Sequence, residues 1–124
     1  METTIYSPEQ HPQVTVVQVH GDVDCGESGA DRLSGLLHSL VDSGDRFLVV
    51  DLSEAGFVVS GAIAELMAVL ARLRQREGDL VLVVQPGPVL KSLQIVGAPK
   101  LTLVLEYLDQ AIDQMALKAA ESHE

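Results

Sequence analysis

Two short, unbroken apolar segments constrain the fold of this chain more than any other feature. Residues 47–50 and residues 80–84 contain only phenylalanine, leucine and valine, which is typical of strands buried on both faces of a parallel sheet. Between them, apolar side chains recur at helical spacing from Ile63 to Leu73, and this spacing predicts an amphipathic helix. A strand, a helix and a second strand in this order predict a right-handed crossover, and the alternation continues to residue 116.

The N-terminal part of the chain predicts a hairpin and one more helix. Residues 14–19 are mostly β-branched and predict a strand, with residues 3–6 as its antiparallel partner. Ser28 and Asp31 have the spacing of a capping box, which predicts that a helix begins there. The other predicted elements are the body of that helix (33–41), a short helix (88–96), an edge strand (101–105) and a terminal helix (108–115).

Together these elements predict a single α/β domain over residues 1–124. The predicted sheet is mixed, with an N-terminal antiparallel hairpin followed by parallel βαβ units, and the helices pack on the sheet. The core is expected to cover about residues 14–116, and residues 120–124 are expected to fray. A length of 124 residues suits one domain, because a chain of this size can bury most of its apolar side chains in one core.

The charge of the chain limits its partners. Acidic residues number 18 and basic residues 8, so the net charge is −10 and the field around the protein repels phosphate backbones. The sequence therefore predicts no nucleic-acid partner. No apolar run reaches the roughly 18 residues that span a bilayer, and residues 1–4 lack a signal-peptide pattern, so we expect a cytoplasmic protein without membrane insertion.

No catalytic or metal-binding pattern is found in the sequence. The histidines at positions 11, 20, 38 and 123 lack metal-ligand spacing, and the single cysteine, Cys25, excludes an internal disulfide and a cysteine-rich metal site. Neither the nucleophile elbow of hydrolases nor a glycine-rich phosphate loop occurs. We therefore predict a protein that is not an enzyme and holds no cofactor or metal, while a redox role for Cys25 stays open.

Several short motifs, taken in order, resemble those of the STAS domains of anti-sigma-factor antagonists. They are Gly-Asp-Val-Asp at residues 21–24, Leu-Val-Val-Asp-Leu-Ser at 48–53, and the segments 57–63, 78–83 and 93–97. The resemblance covers roughly residues 14–116. It implies a module that docks onto a kinase-type anti-sigma factor and frees a sigma factor by competition. It also implies that Asp24, Val59, Ser60 and Gly61 belong to the partner-binding surface.

The loop that enters the second helix departs from the family pattern. In that family the loop reads Asp-Ser-Ser-Gly or Asp-Ser-Thr-Gly, and the partner kinase phosphorylates the second hydroxyl residue. Aligned from Phe57 without a gap, the motif's Asp falls on Val59, its first Ser on Ser60, its phosphoacceptor on Gly61 and its Gly on Ala62. A shift of one residue makes Ser60 the acceptor instead. Ser60 is therefore either a phosphoacceptor or a helix N-cap, and the degenerate loop predicts docking that is constitutive or controlled by something other than phosphate.

The sequence allows two interpretations for each of two aspartates, Asp24 and Asp51. Asp24 is either a partner contact, as the resemblance implies, or a solvated loop carboxylate. Asp51, expected at the carboxyl end of a buried strand, is either a functional group or a cap for the following turn.

The function has two alternatives to anti-sigma-factor docking. One is a non-phosphorylated structural STAS subunit of a larger stress-signalling or transporter-associated complex. The other is a flavodoxin-like enzyme or ligand binder, which rests on the α/β pattern alone. The oligomeric state, monomer or homodimer, stays open.

Overall fold

Five strands form one mixed sheet in the computed structural model, which describes residues 1–121. The strands lie in chain order across the sheet; the first two are antiparallel and all later neighbours are parallel. This arrangement confirms the predicted fold class, including the N-terminal hairpin. The strands are β1 (Glu2–Tyr6), β2 (Val14–His20), β3 (Phe47–Glu54), β4 (Asp79–Val83) and β5 (Val104–Leu105).

The helices lie on both faces of the sheet. Three of them follow β2, β3 and β4, and their crossovers step across the sheet in one direction, which places them on the same face. The fourth follows β5 and packs on the opposite face. Within residues 1–121, no helix has the length and apolar character needed to cross a membrane. The helices are α1 (Ala30–Asp42), α2 (Ser60–Gln75), α3 (Pro88–Ile95) and α4 (Leu108–Glu121), with a short 3-10 helix at Ala98–Lys100.

The covering of both faces explains the unbroken apolar segments. In β3, Leu48 and Val50 belong to the core under α1, α2 and α3, whereas Phe47 and Val49 belong to the core under α4. Successive side chains of a strand point to opposite faces, so a strand with a core on each side needs apolar residues at every position. All four of these side chains are buried.

Strand β3 is longer than predicted, and this changes the position of Asp51. The strand continues to Glu54, so Asp51 lies inside it, only 5% exposed. One carboxylate oxygen accepts the Ser53 amide at 2.9 Å, and the other faces the Gln18 side-chain amide at 3.4 Å. These donors compensate the burial of the carboxylate. The expected place at the strand's carboxyl end was therefore wrong, and Asp51 is not available at the surface.

Helix α1 begins without the predicted capping box. Its N-cap is Gly29, and no side chain caps the helix. Instead, the Ala30 amide donates to the main-chain oxygen of Asp24 at 2.7 Å. A main-chain carbonyl group thus accepts a hydrogen bond at the helix start, where the Ser28 hydroxyl was expected to do so.

The C-terminal part differs from the prediction in two places. The edge strand has two residues instead of five, because the Leu101 and Thr102 amides donate to the Ala98 oxygen of the 3-10 helix. Helix α4 continues through Glu121, so residues 120 and 121, expected to fray, are helical. The remainder of that tail, residues 122–124, lies outside the described residues.

Candidate functional site

The loop between β2 and α1 places Asp24 at the surface. It starts at Gly21 and contains Gly26, both with positive φ (90° and 93°), a conformation that glycine adopts without strain. Gly29 ends the loop so close to Asp24 that an added Cβ would lie 2.1 Å from the Asp24 carbonyl oxygen. Asp24 is thus exposed at its side chain while its main chain is held against the start of α1.

The loop between β3 and α2 is hydrogen-bonded to the first loop along its length. The Val23 amide donates to the Phe57 oxygen at 2.8 Å, and the Val59 amide donates to the Val23 oxygen at 2.9 Å. Val23 and Val58 form a parallel bridge, and both are buried. These bonds bring Asp24, the residue after Val23, beside the start of α2.

Asp22 provides a side-chain link between the same loops. Its Oδ1 accepts the Gly56 amide at 3.1 Å, and an added Cβ on Gly56 would lie 2.9 Å from that oxygen. The close approach of the two loops therefore needs a carboxylate at position 22 and a glycine at position 56. The two loops therefore form one connected surface, in which loop residues are positioned by main-chain contacts.

Ser60 is exposed and is the first residue of α2. Val59 occupies the N-cap position, with φ −63° and ψ 147°, and no side chain caps the helix. The interpretation of Ser60 as the N-cap is therefore wrong, because the chain becomes helical at Ser60 itself. A hydroxyl at this point lies in the first turn, beside the positive end of the helix dipole.

The neighbours of Ser60 differ in exposure. Val59 is half-buried and packs against the main core. Gly61 is exposed, and a Cβ added there would meet no atom within 4 Å. Gly61 is the position at which an ungapped alignment puts the family's phosphoacceptor. There is room for a side chain here, but the residue is glycine. We name the four residues Asp24, Val59, Ser60 and Gly61 the loop surface.

The surroundings of the loop surface are acidic. Between residues 21 and 32 the exposed charged side chains are four acids and one base. An exposed group of one sign attracts partners of the opposite sign and repels its own kind. The loop surface therefore suits a partner with basic residues at the contact. The four acids are Asp22, Asp24, Glu27 and Asp31, and the base is Arg32.

Next to the loop surface lies an apolar cleft that the sequence patterns did not predict. It has a volume of about 310 Å³ and lies between the start of α2 and the outer side of α3. Phe57, Ile95 and Val96 are its most exposed apolar residues. The signal in the sequence was weak, because Ile95 and Val96 continue the apolar composition of α3 and only the packing shows which side faces out.

Within residues 1–121, no group of three or more histidine, cysteine, aspartate or glutamate side chains is arranged to hold a metal ion. One hydroxyl, imidazole and carboxylate series does occur: Thr4 Oγ1 lies 3.0 Å from His20 Nε2, and His20 Nδ1 lies 3.1 Å from Glu54 Oε2. The three residues belong to β1, β2 and β3, and the Glu54 side chain is largely exposed. In this position the series links neighbouring strands at the end of the sheet.

The comparison with family models decides the family. A model described as "Mlab, STAS domain" matches residues 7–119. The chain belongs to the STAS domain family. This result confirms the resemblance inferred from the motifs, and the STAS match covers both loops of the loop surface. No curated protein matches the sequence of this STAS domain.

Solved structures show the same fold. An anti-sigma factor antagonist from Mycobacterium paratuberculosis is 24% identical, with a TM-score of 0.81 and 92% of each chain covered. The Bacillus cell fate determinant SpoIIAA, in its phosphorylated form, is 15% identical with a TM-score of 0.68, over 91% of this chain and 98% of that one. A sulfate transporter family protein from Wolinella succinogenes is also 15% identical with a TM-score of 0.68, covering 87% of this chain and 88% of the other. At these identities, the similarity shows the fold alone.

Proposed function

We propose that this STAS domain is an antagonist-like docking module that binds a kinase-type anti-sigma factor through the loop surface. The observation that supports this most is the hydrogen bonding between the two loops, which holds Asp24 and Ser60 exposed on neighbouring segments. A rigid exposed surface lowers the entropic cost of association. The protein acts by competition, because an anti-sigma factor bound here releases its sigma factor, and it acts in the cytoplasm.

The acidic surroundings of the loop surface support the choice of partner surface. Asp24 lies in the group of four exposed acids, and a basic patch on the anti-sigma factor would complement them. An acidic patch on the partner would be repelled by these four acids.

Binding to a purified kinase-type anti-sigma factor from the same organism, measured by calorimetry, tests the proposal. Asp24→Lys reverses a charge within the loop surface and should weaken binding by about tenfold or more. Ser60→Trp adds bulk at the start of α2 and should do the same. Asp113→Lys is the matched control, because Asp113 is an exposed acid on α4, on the opposite face of the sheet. If all three variants bind like the natural protein, the loop surface is not the docking site.

We also propose that docking does not depend on phosphorylation of this loop. Gly61 stands where the ungapped alignment puts the acceptor, and its space is open. After incubation with the kinase and ATP, mass spectrometry should find Ser60 unmodified. A Gly61→Ser variant, which fills the open space with a hydroxyl, should gain a phosphate under the same conditions. Stoichiometric phosphoserine at Ser60 in the natural sequence would refute this part of the proposal.

A second function is a non-phosphorylated STAS subunit of a transporter-associated complex. It is favoured by the structural likeness to a sulfate transporter family protein. This function predicts that the tagged protein co-purifies with a transporter and has no measurable affinity for the anti-sigma factor. The calorimetric experiment therefore separates the two functions.

A further inference from the structure

The apolar cleft beside the loop surface exposes three large side chains to solvent. Ile95 is 76% exposed, Val96 51% and Phe57 47%, and all three line the same cleft of about 310 Å³. Within residues 1–121, no charged side chain lines it, and its hydroxyls come from Ser60 and Ser92. Single exposed apolar residues are common, but several that converge on one concave site mark an interaction surface. We name this site the apolar groove.

The packing of α3 does not require this exposure. The inner side of the helix supplies Val89 and Leu93 to the core, and these two residues are buried. Ile95 and Val96 lie outside that core, so the fold gains little from an isoleucine and a valine at these positions. Filling the groove with another apolar group would remove their side chains from water, which is favourable.

The outer side of α2 beside the groove carries small residues, and the Glu65 side chain, 47% exposed, lies at its edge toward α1. Gly61, Ala64 and Ala68 are exposed at helical spacing, starting one residue after Ser60. Small residues let a second helix approach closely, and its larger side chains can then reach a neighbouring depression. The groove and this side of α2 together fit a helix that lays an apolar side against them.

Charge decides between a second copy of this chain and a different protein as the occupant. The groove is bordered, through Ser60, by the loop surface, in whose surroundings four acids including Asp24 are exposed, and the whole chain carries a net charge of −10. Two copies joined through this region would bring two acidic loops together, which is unfavourable. A partner helix with basic residues flanking its apolar side avoids that repulsion and complements the loops.

We propose that the apolar groove receives a large apolar side chain from a basic-flanked amphipathic helix of the partner. This inference rests on the proposed function, because it extends the same docking surface from the acidic loops to α3. It assigns a role to Phe57, Ile95 and Val96, which lie outside the loop surface. The loops supply charge attraction, and the groove supplies apolar burial.

The test uses the full chain and synthetic helices as probes, followed by NMR amide shifts. The first probe is a peptide of about 18 residues, five helical turns, with leucines on one side and lysines on the other. In a second peptide serines replace the leucines, and in a third glutamates replace the lysines. Only the leucine–lysine peptide should give saturable shifts at residues 57, 60, 95 and 96.

Variants of the groove and of a matched exposed residue complete the test. Ile95→Ser should weaken binding of the leucine–lysine peptide by about tenfold, since a buried isoleucine contact is lost. Leu117→Ser should change it less than about twofold, because Leu117 is 59% exposed on α4, on the opposite face. Circular dichroism of both variants checks that the fold is retained, which is expected since both side chains point to solvent.

Three results would overturn the groove proposal. They are equal binding of the serine–lysine peptide, shifts centred on Leu117, and concentration-dependent shifts at Ile95 without peptide, which would mean that a second copy occupies the groove. The two proposals fail separately. If Asp24→Lys weakens anti-sigma-factor binding while Ile95→Ser does not, the proposal for the loop surface is supported and the proposal for the groove is wrong. If the peptide binds the groove but the anti-sigma factor does not bind at all, the proposed function falls and the groove stands.

Discussion

Gly29 and Gly61 are both glycines near the loop surface, but the space around them is opposite. An added Cβ at Gly29 would lie 2.1 Å from the main-chain oxygen of Asp24, whereas one at Gly61 would meet nothing within 4 Å. A main-chain oxygen held by the Ala30 amide cannot move aside cheaply. Gly29 is thus needed for the loop to close onto α1, and Gly61 is not needed for the fold.

We predict that Gly29→Ala destabilises the domain by roughly 1–3 kcal/mol, because the loop must move to admit the methyl group. Gly61→Ala is the matched control and should leave stability unchanged or raise it by up to about 1 kcal/mol, since alanine favours a helix over glycine. Urea unfolding followed by circular dichroism measures both values. Equal stability of the two variants would show that the loop yields freely at Gly29.

The same residue-scale contacts were not predictable from the sequence. Asp24 and Ser60 were identified from motifs that lie 36 positions apart, and the hydrogen bonds between their loops come from main-chain atoms. Main-chain contacts between loops leave no periodic signal in side chains. Their trace is limited to glycines at positions 29 and 56, where a side chain has no room.

At the scale of elements, α1 and α2 are joined by side chains on their outer edges. Arg72 Nη2 lies 2.6 Å from Asp42 Oδ1, and the Ser34 hydroxyl donates to Glu65 at 2.8 Å. The hydrogen bond and charge of Arg72 hold the pKa of Asp42 below its ordinary value. This pair connects the end of α1 to the second half of α2.

The pKa of Asp42 gives a prediction with a definite sign. Because the folded pKa is lower than the unfolded one, the pair contributes stability above the unfolded pKa, and this contribution is lost as pH falls through the folded value. Arg72→Gln should raise the pKa of Asp42 toward its ordinary value, as seen by carboxyl-carbon NMR titration. Arg74→Gln is the control, since Arg74 pairs with Asp79 instead. An unchanged Asp42 titration in Arg72→Gln would contradict the pairing.

Element types were more predictable than element ends. The buried strands β3 and β4 and helix α2 follow from patterns of apolar residues, because both faces of the sheet are covered. Ends depend on local competition for hydrogen bonds. Strand β3 continues past Asp51 because its pairing with β2 resumes at Glu54 after an irregularity in register, and α1 starts after Ser28 with the Ala30 amide bound to the main-chain oxygen of Asp24.

At the scale of the molecule, the net charge of −10 produces a field that attracts positively charged surfaces. We predict that raising sodium chloride from about 50 mM to about 500 mM slows association with the anti-sigma factor by roughly tenfold, because salt screens the attraction. Stopped-flow fluorescence measures the association rate. Dissociation should change much less, since salt acts mainly on the long-range attraction that guides encounter.

Asp24→Lys provides the control for this salt effect. The variant should associate more slowly than the natural protein at low salt, and the difference in association rate should become smaller at high salt, because salt screens the long-range attraction. If the natural protein associates equally fast at both concentrations, charge does not guide the encounter.

The chain-order arrangement of the strands also bears on how such a protein changes its recognition. The segments after β2, β3 and β4 leave the same end of the sheet, and each is short and bounded by a strand and a helix. Substitutions at the exposed positions of any one of them alter the surface that a partner meets, while the buried residues and the closely packed glycines keep their sequence. New binding specificities can therefore arise from changes in a few neighbouring loops, without changes in the hydrophobic core.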